Sequence, residues 1–237
     1  MKKLSFCLLL LFSFMLHAVP SASFHAEFDQ DFHALGGPGG STPGKHSQEA
    51  LWETLAANLR PGVVGQAAII GASEDKKQGY CIVYPAKDII NPDVGSVAFW
   101  VQMMNWSVDD KSYHVFFRAQ GKDADLIVYK TPGGAHLTFL IGPRRKNEEG
   151  KNIWASGVAQ IPNWKVGEWH FVVATWGNGL AELYVDGLQA KTFEYEHAPG
   201  EFRVFGAGGL YPTQWQGHPQ MSLIDELMVY KGVKLTP

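Results

Sequence analysis

The stretch from Trp164 to Gly187, WKVGEWHFVVATWGNGLAELYVDG, leaves the backbone little choice. Trp169, Phe171, Val173 and Thr175 alternate with His170, Val172, Ala174 and Trp176, the period of two that sends successive side chains to opposite faces of a strand. Gly177, Asn178 and Gly179 break the run, and a second alternating run follows from Ala181 to Val185. Two such runs around a Gly-rich break read as a β-hairpin. Asp186-Gly187, suited to the left-handed backbone of a tight turn, then starts a further hairpin.

The same period recurs along the chain. Strands are predicted at 24–32, 66–71, 80–84, 95–103, 113–119, 125–130, 136–141, 153–156, 169–176, 181–185, 202–205 and 221–230, separated by turn residues such as Asn91-Pro92, Pro132-Gly133-Gly134 and Pro199-Gly200. Residues 33–46, HALGGPGGSTPGKH, read as a loop. Ser47 can cap a short helix near residues 47–59, with Leu51, Leu55 and Leu59 on one stripe and Pro61-Gly62 ending it. About a dozen strands with a single helix point to an all-β, two-sheet antiparallel jelly-roll sandwich, because a parallel α/β sheet needs a helix between strands.

Lys2, Lys3, the apolar run from Leu4 to Leu16, and small residues at Ser21 and Ser23 read as a signal peptide over residues 1–23. Residues 24–61 are then a first strand, loop and short helix packed on a main domain over 62–237, with 24–237 forming one structural unit. The apolar run is shorter than the ~20 residues of a bilayer-spanning helix, and no later stretch could span a membrane. Lys2 and Lys3 leave with the leader, so residues 24–237 carry 18 basic and 23 acidic side chains, a net charge of −5 that argues against a nucleic-acid partner. Cys7 leaves too, and Cys81, within GYCIVY, is expected as a small buried apolar side chain.

Four segments occur in a telling order: GSVAFWVQMMNW (Gly95 to Trp106), GEWHFVVATW (Gly167 to Trp176), AELYVDG (Ala181 to Gly187) and SLIDELMVYKGVKLT (Ser222 to Thr236). Together they resemble the laminin G-like, concanavalin A-like jelly-roll superfamily, over roughly residues 62–236. The resemblance implies a fold that hosts lectins, adhesive modules, glycoside hydrolases and polysaccharide lyases, so the site must decide between them.

In relatives of this fold the first and last strands lie side by side, often with a structural Ca²⁺ between them. Calcium takes hard oxygens, many from backbone carbonyls, so few carboxylates suffice. The resemblance therefore implies a structural calcium on Asp225, Glu27 and Asp29, from Ile224-Asp225-Glu226 and Glu27-Phe28-Asp29. The alternative is that Asp225 bonds the amides of a neighbouring turn without a metal.

Carbohydrate recognition calls for exposed rings that stack on the apolar face of a sugar. Tyr211 and Trp215, in the polar loop LYPTQWQGHPQ, are the first candidates and Trp154 and Trp164 the second. A loop tryptophan can equally fold back as a lid. Trp100, Trp169 and Trp176 belong to strand motifs and are expected in the core, although alternation puts Trp169 and Trp176 on opposite faces.

Retaining glycoside hydrolysis needs two carboxyl groups about 5 Å apart. The laminarinase-like pattern Glu-x-Asp-x-x-Glu is absent, and the nearest match, Glu27 to Asp31, lacks the final Glu. A lyase would need a base with an Arg partner, for which Tyr113, His114 or His136 beside Arg144 are candidates. The expectation is a secreted binding or adhesion module for a glycan or an extracellular protein ligand, with no catalytic residue assigned and a glycan-cleaving enzyme of the same fold as the alternative.

Overall fold

The computed structural model describes residues 20–37, 41–42, 45–46, 59–72, 79–143, 148–150, 154–209 and 221–237. Among the described residues every regular element is a strand. The N-terminal third contributes β1 (Phe24–Ala26), β2 (Ala34–Gly36), β3 (Ser41–Thr42), β4 (Lys45–His46), β5 (Leu59–Pro61), β6 (Gln66–Ala72), β7 (Gly79–Tyr80) and β8 (Ile82–Pro85). Longer strands follow: β9 (Val94–Met103), β10 (His114–Gly121), β11 (Ala124–Lys130), β12 (His136–Pro143) and β13 (Ala155–Gln160). The chain closes with β14 (Trp169–Gly177), β15 (Leu180–Val185), β16 (Leu188–Glu194), β17 (Phe202–Ala207) and β18 (Met221–Lys231).

These strands form two antiparallel sheets, as a jelly-roll sandwich requires. One sheet runs β16-β15-β14-β9-β18-β1-β2-β3, with β5, β6 and β7 attached through β6 to β18. The other runs β13-β12-β11-β10-β17-β8-β4. Inward residues of both sheets, among them Phe99, Val101, Phe117, Leu126, Val128, Phe139, Val172, Ala174 and Trp176, make one continuous core. Trp176 is wholly buried there, and its indole N–H donates to the Asn91 carbonyl at 2.9 Å.

The opening hairpin forms as its sequence dictates. Asn178 and Gly179 take φ of 55° and 76°, and Asp186 and Gly187 take 51° and 79°, the left-handed pairs that join twisted antiparallel strands in two-residue turns. The second turn leads into β16, an edge strand whose exposed residues are polar or charged apart from Leu188 and Ala190.

β18 organises the larger sheet. Along one side it pairs with β9 almost throughout, and along the other it serves two strands in succession: β6 over Met221 to Ile224 and β1 over Leu227 to Val229. A register shift at Asp225 and Glu226 separates them, with Glu226 in the left-handed region at φ 51°. The first and last strands thus lie side by side.

Two sequence expectations change, and a third falls mostly outside the described residues. The segment 33–46 carries β2, β3 and β4 inside its Gly- and Pro-rich loop, strands too short for a period to register. The strand predicted at 153–156 instead runs from Ala155 to Gln160. Gly157, which reads as a breaker, is the point where Phe193 of β16 packs across, and a Cβ there would meet its ring at 2.5 Å. The helix near 47–59 lies outside the described residues except for Leu59, which opens β5. Cys81 is buried as expected.

Candidate functional site: a groove on the outer face of the seven-stranded sheet

Alternation in β11 sends Leu126 and Val128 into the core and Asp125, Ile127 and Tyr129 to the outer face. On that face Ile127 joins Val115 of β10 and Leu140 of β12 in a small apolar cluster separate from the core, with Tyr129 packed against it. These side chains floor a cavity of about 380 Å³ that also takes in Tyr113, Arg118, Asp125, Gly142 and Trp154. The volume lies in the range of small-molecule sites.

One end of the groove is aromatic. Tyr113 and Tyr129 lie 5.8 Å apart with planes inclined by 45°, whereas Trp154, 54% exposed just before β13, stands one residue beyond the Ala155–Ile141 pair, in the row of Gly142 and Asp125 at the opposite end. Burial first and the nearby Tyr113 second raise the Tyr129 phenol above its usual range, against a smaller opposing pull from Thr138. It therefore stays protonated at neutral pH, a hydrogen-bonding tip on an apolar ring rather than a base.

The other end is charged and balanced. Arg118 donates through Nε at 3.1 Å and Nη2 at 2.5 Å to Oδ2 of Asp125, and the two side chains are 11% and 8% exposed. Both hydrogen bonds are charge-assisted. Asp125 is the one carboxylate among the described groove residues, where acid and nucleophile chemistry on a glycosidic bond would need two.

The carboxylates expected to hold calcium do other work. Asp225 is fully buried; its Oδ2 accepts from the amides of Val63 at 2.7 Å and Val64 at 3.2 Å, and its Oδ1 from the Glu226 amide at 2.8 Å. Asp29 accepts the Gln66 amide at 2.8 Å on Oδ1, while its carbonyl takes the Gln66 side-chain amide at 2.6 Å. The turn Gly62-Val63-Val64-Gly65 is thus tied down from two sides at the point where β18 changes partner. Glu27 stands 3.7 Å from Nδ1 of His25, whose Nε2 meets Glu226 at 2.7 Å. Amides donate to the aspartate oxygens that a calcium ion would need, the metal-free arrangement that was the alternative for Asp225. Among the described residues no cluster of three or more His, Cys, Asp or Glu side chains could hold a metal ion. Burial pushes the Asp225 carboxyl up to about 6 against the opposing pull of the three amides, with Glu226 adding to the rise.

Of the aromatic candidates, Trp154 comes to the groove. Trp164 does not: it is 7% exposed and its ring stacks on His170 at 4.1 Å, so neither face is offered to a ligand. Tyr211, Trp215 and Arg144 lie outside the described residues. Tyr113 lines the groove, whereas His114 is buried with its ring on Trp106 at 3.6 Å, so the two neighbours face different surroundings. Arg118, Asp125 and Tyr129 were missed as site residues. For Asp125 and Tyr129 the signal was the outward set Asp125, Ile127 and Tyr129 opposite the inward Leu126 and Val128 on one strand.

Comparison with known proteins adds the following. The profile of a family described as the concanavalin A-like lectin/glucanases superfamily matches residues 73–237. No curated protein matches the chain. Among solved structures, the receptor-binding domain of the botulinum neurotoxin C/D mosaic serotype superposes with a TM-score of 0.63 at 10% identity, over 90% of this chain and 49% of that one. The serotype G binding domain gives 0.63 at 12% identity, over 91% and 48%. The serotype D ligand-binding domain in complex with N-acetylneuraminic acid gives 0.61 at 12% identity, over 90% and 48%. The chain spans about half the length of these structures, and at such identity the likeness is one of fold.

Proposed function

Because the chain belongs to the concanavalin A-like lectin/glucanases superfamily, we propose that it is a secreted, non-catalytic binding module that recognises carbohydrate in the groove on its seven-stranded sheet. The observation that carries this reading is the groove itself: an apolar floor of Val115, Ile127 and Leu140, with Tyr113 and Tyr129 at one end and the exposed Trp154 at the other, on the side of the Arg118–Asp125 pair. Rings of this kind cover the C–H face of a pyranose, and the polar pair orients its hydroxyls. The serotype D toxin domain, of the same fold, is known in complex with a sugar. The leader at residues 1–23 supports export.

A glycan array tests the reading. Binding is expected for the native chain and is expected to fall about tenfold or more in Trp154→Ala, roughly the energy of one stacked ring. Unchanged binding in that variant would move recognition elsewhere, with Trp215→Ala in the second loop as the next test. The glycan-cleaving alternative is checked by incubation with a polysaccharide panel: release of reducing ends or unsaturated products, lost in Asp125→Asn, would replace the binding reading with an enzymatic one.

A further inference from the structure

We propose that the groove selects neutral sugars over uronic, sialic or sulfated ones, because its one described cation is already balanced by a carboxylate at its side. The inference rests on the carbohydrate reading above and narrows it to a ligand class. Arg118 stands opposite Ile127 in the ladder, so Asp125, two residues back along β11, is its diagonal neighbour on the same face. Two guanidinium nitrogens converge on one carboxylate oxygen, with both side chains about nine-tenths buried. The remaining described groove residues carry no charge at neutral pH, the Tyr129 phenol included.

An acidic sugar entering this end would have to share the guanidinium with Asp125 and bring a second negative charge beside it in partly dehydrated surroundings. Like charges so placed repel strongly, because little water screens them. A hydroxyl is donor and acceptor at once and can join the pair without separating it. The chain as a whole carries a net charge of −3, which gives an acidic sugar no long-range attraction.

Calorimetric titration separates the outcomes. The probes are hexasaccharides of glucose, mannose and xylose against hexagalacturonate and hexaguluronate, each at low and at physiological salt. At least one neutral hexasaccharide is expected to bind about tenfold or more tighter than either acidic one, and lowering the salt is expected to give the acidic sugars no advantage. Asp125→Asn leaves the Arg118 charge uncompensated and is expected to narrow that ratio by about tenfold. Should this variant not fold, the ratio in the native chain decides alone. Acidic hexasaccharides bound more tightly than neutral ones, and weakened by Trp154→Ala, would overturn the charge selection while leaving the groove as the site. If no hexasaccharide shows binding sensitive to Trp154→Ala, the groove reading itself falls and the selectivity with it.

Discussion

Asp225 illustrates how one residue can be identified correctly by position and differently by chemistry. Its place on the closing strand beside the first strand follows from the sequence motif, but its partners are the amides of Val63, Val64 and Glu226. Val63 and Val64 belong to a turn 162 and 161 residues earlier in the chain, which no local pattern reveals. The carboxyl titrates near 3.8 when unfolded and is pushed up to about 6 in the folded chain by burial. Below about pH 4 both states are protonated and the buried carboxyl carries no charge; between about 4 and 6 the unfolded chain gives up the proton first, so rising pH favours unfolding. Asp225 therefore adds stability at acid pH that is lost as pH rises from about 4 through about 6, on the order of 2–3 kcal/mol. Urea midpoints at pH 4 and pH 7 check this: the native chain is expected to lose more stability across that window than Asp225→Ala, and equal losses would rule out the raised carboxyl. Trp154 and Trp164 make a second residue-scale contrast. Both stand near strand starts in polar stretches, yet one is exposed and the other is stacked on His170, a difference set by which surface happens to close over each ring.

Among the elements, β18 does more than close the sheet. It accepts β6 and β1 in turn along one side, and the register shift between them gives the 62–65 turn its seat. The seat is tight. Gly62 lies against Asp225 and Gly65 against Asp29, so a Cβ at either position would run into a carboxylate, and Gly65 is in addition at φ 53°. Gly65→Ala is expected to lower stability by about 1–2 kcal/mol, read as a fall in melting temperature, whereas Gly150→Ala, with open space around its Cβ, serves as a control for left-handed strain alone. Similar losses in the two variants would mean that the contact with Asp29 contributes little. The hairpin β14-β15 and its Asp186-Gly187 turn were legible because period, break and turn chemistry lie within consecutive residues. Strands β2 and β5 were not, since three residues carry no period and depend on a partner for their existence.

For the whole molecule, the two sheets divide the labour. The larger sheet holds both termini of the domain and the Asp225 junction, while the outer face of the smaller one carries the groove. A calcium site at Glu27, Asp29 and Asp225 would join the first and last strands and stabilise the whole fold, so titration with calcium after chelation is a measurement at this scale. No binding heat and no rise in melting temperature in excess calcium are expected; a rise of several degrees would restore the metal and require the turn amides to move away from Asp225.

The order of turns and alternating strands, and with it the two-sheet jelly roll, was determined by the sequence alone, because backbone period and turn conformation are local consequences of side-chain type. The sequence also singled out Asp225 and Trp154. What each of them meets was decided only by the tertiary structure. Whether the outer face of β11 looks onto solvent or onto another layer, whether Arg118 finds Asp125 on the diagonal, and whether a buried carboxylate faces amides or a cation all depend on which distant strands become neighbours. That pairing is a property of the packed sheets, and it is there that the groove and its charge balance arise.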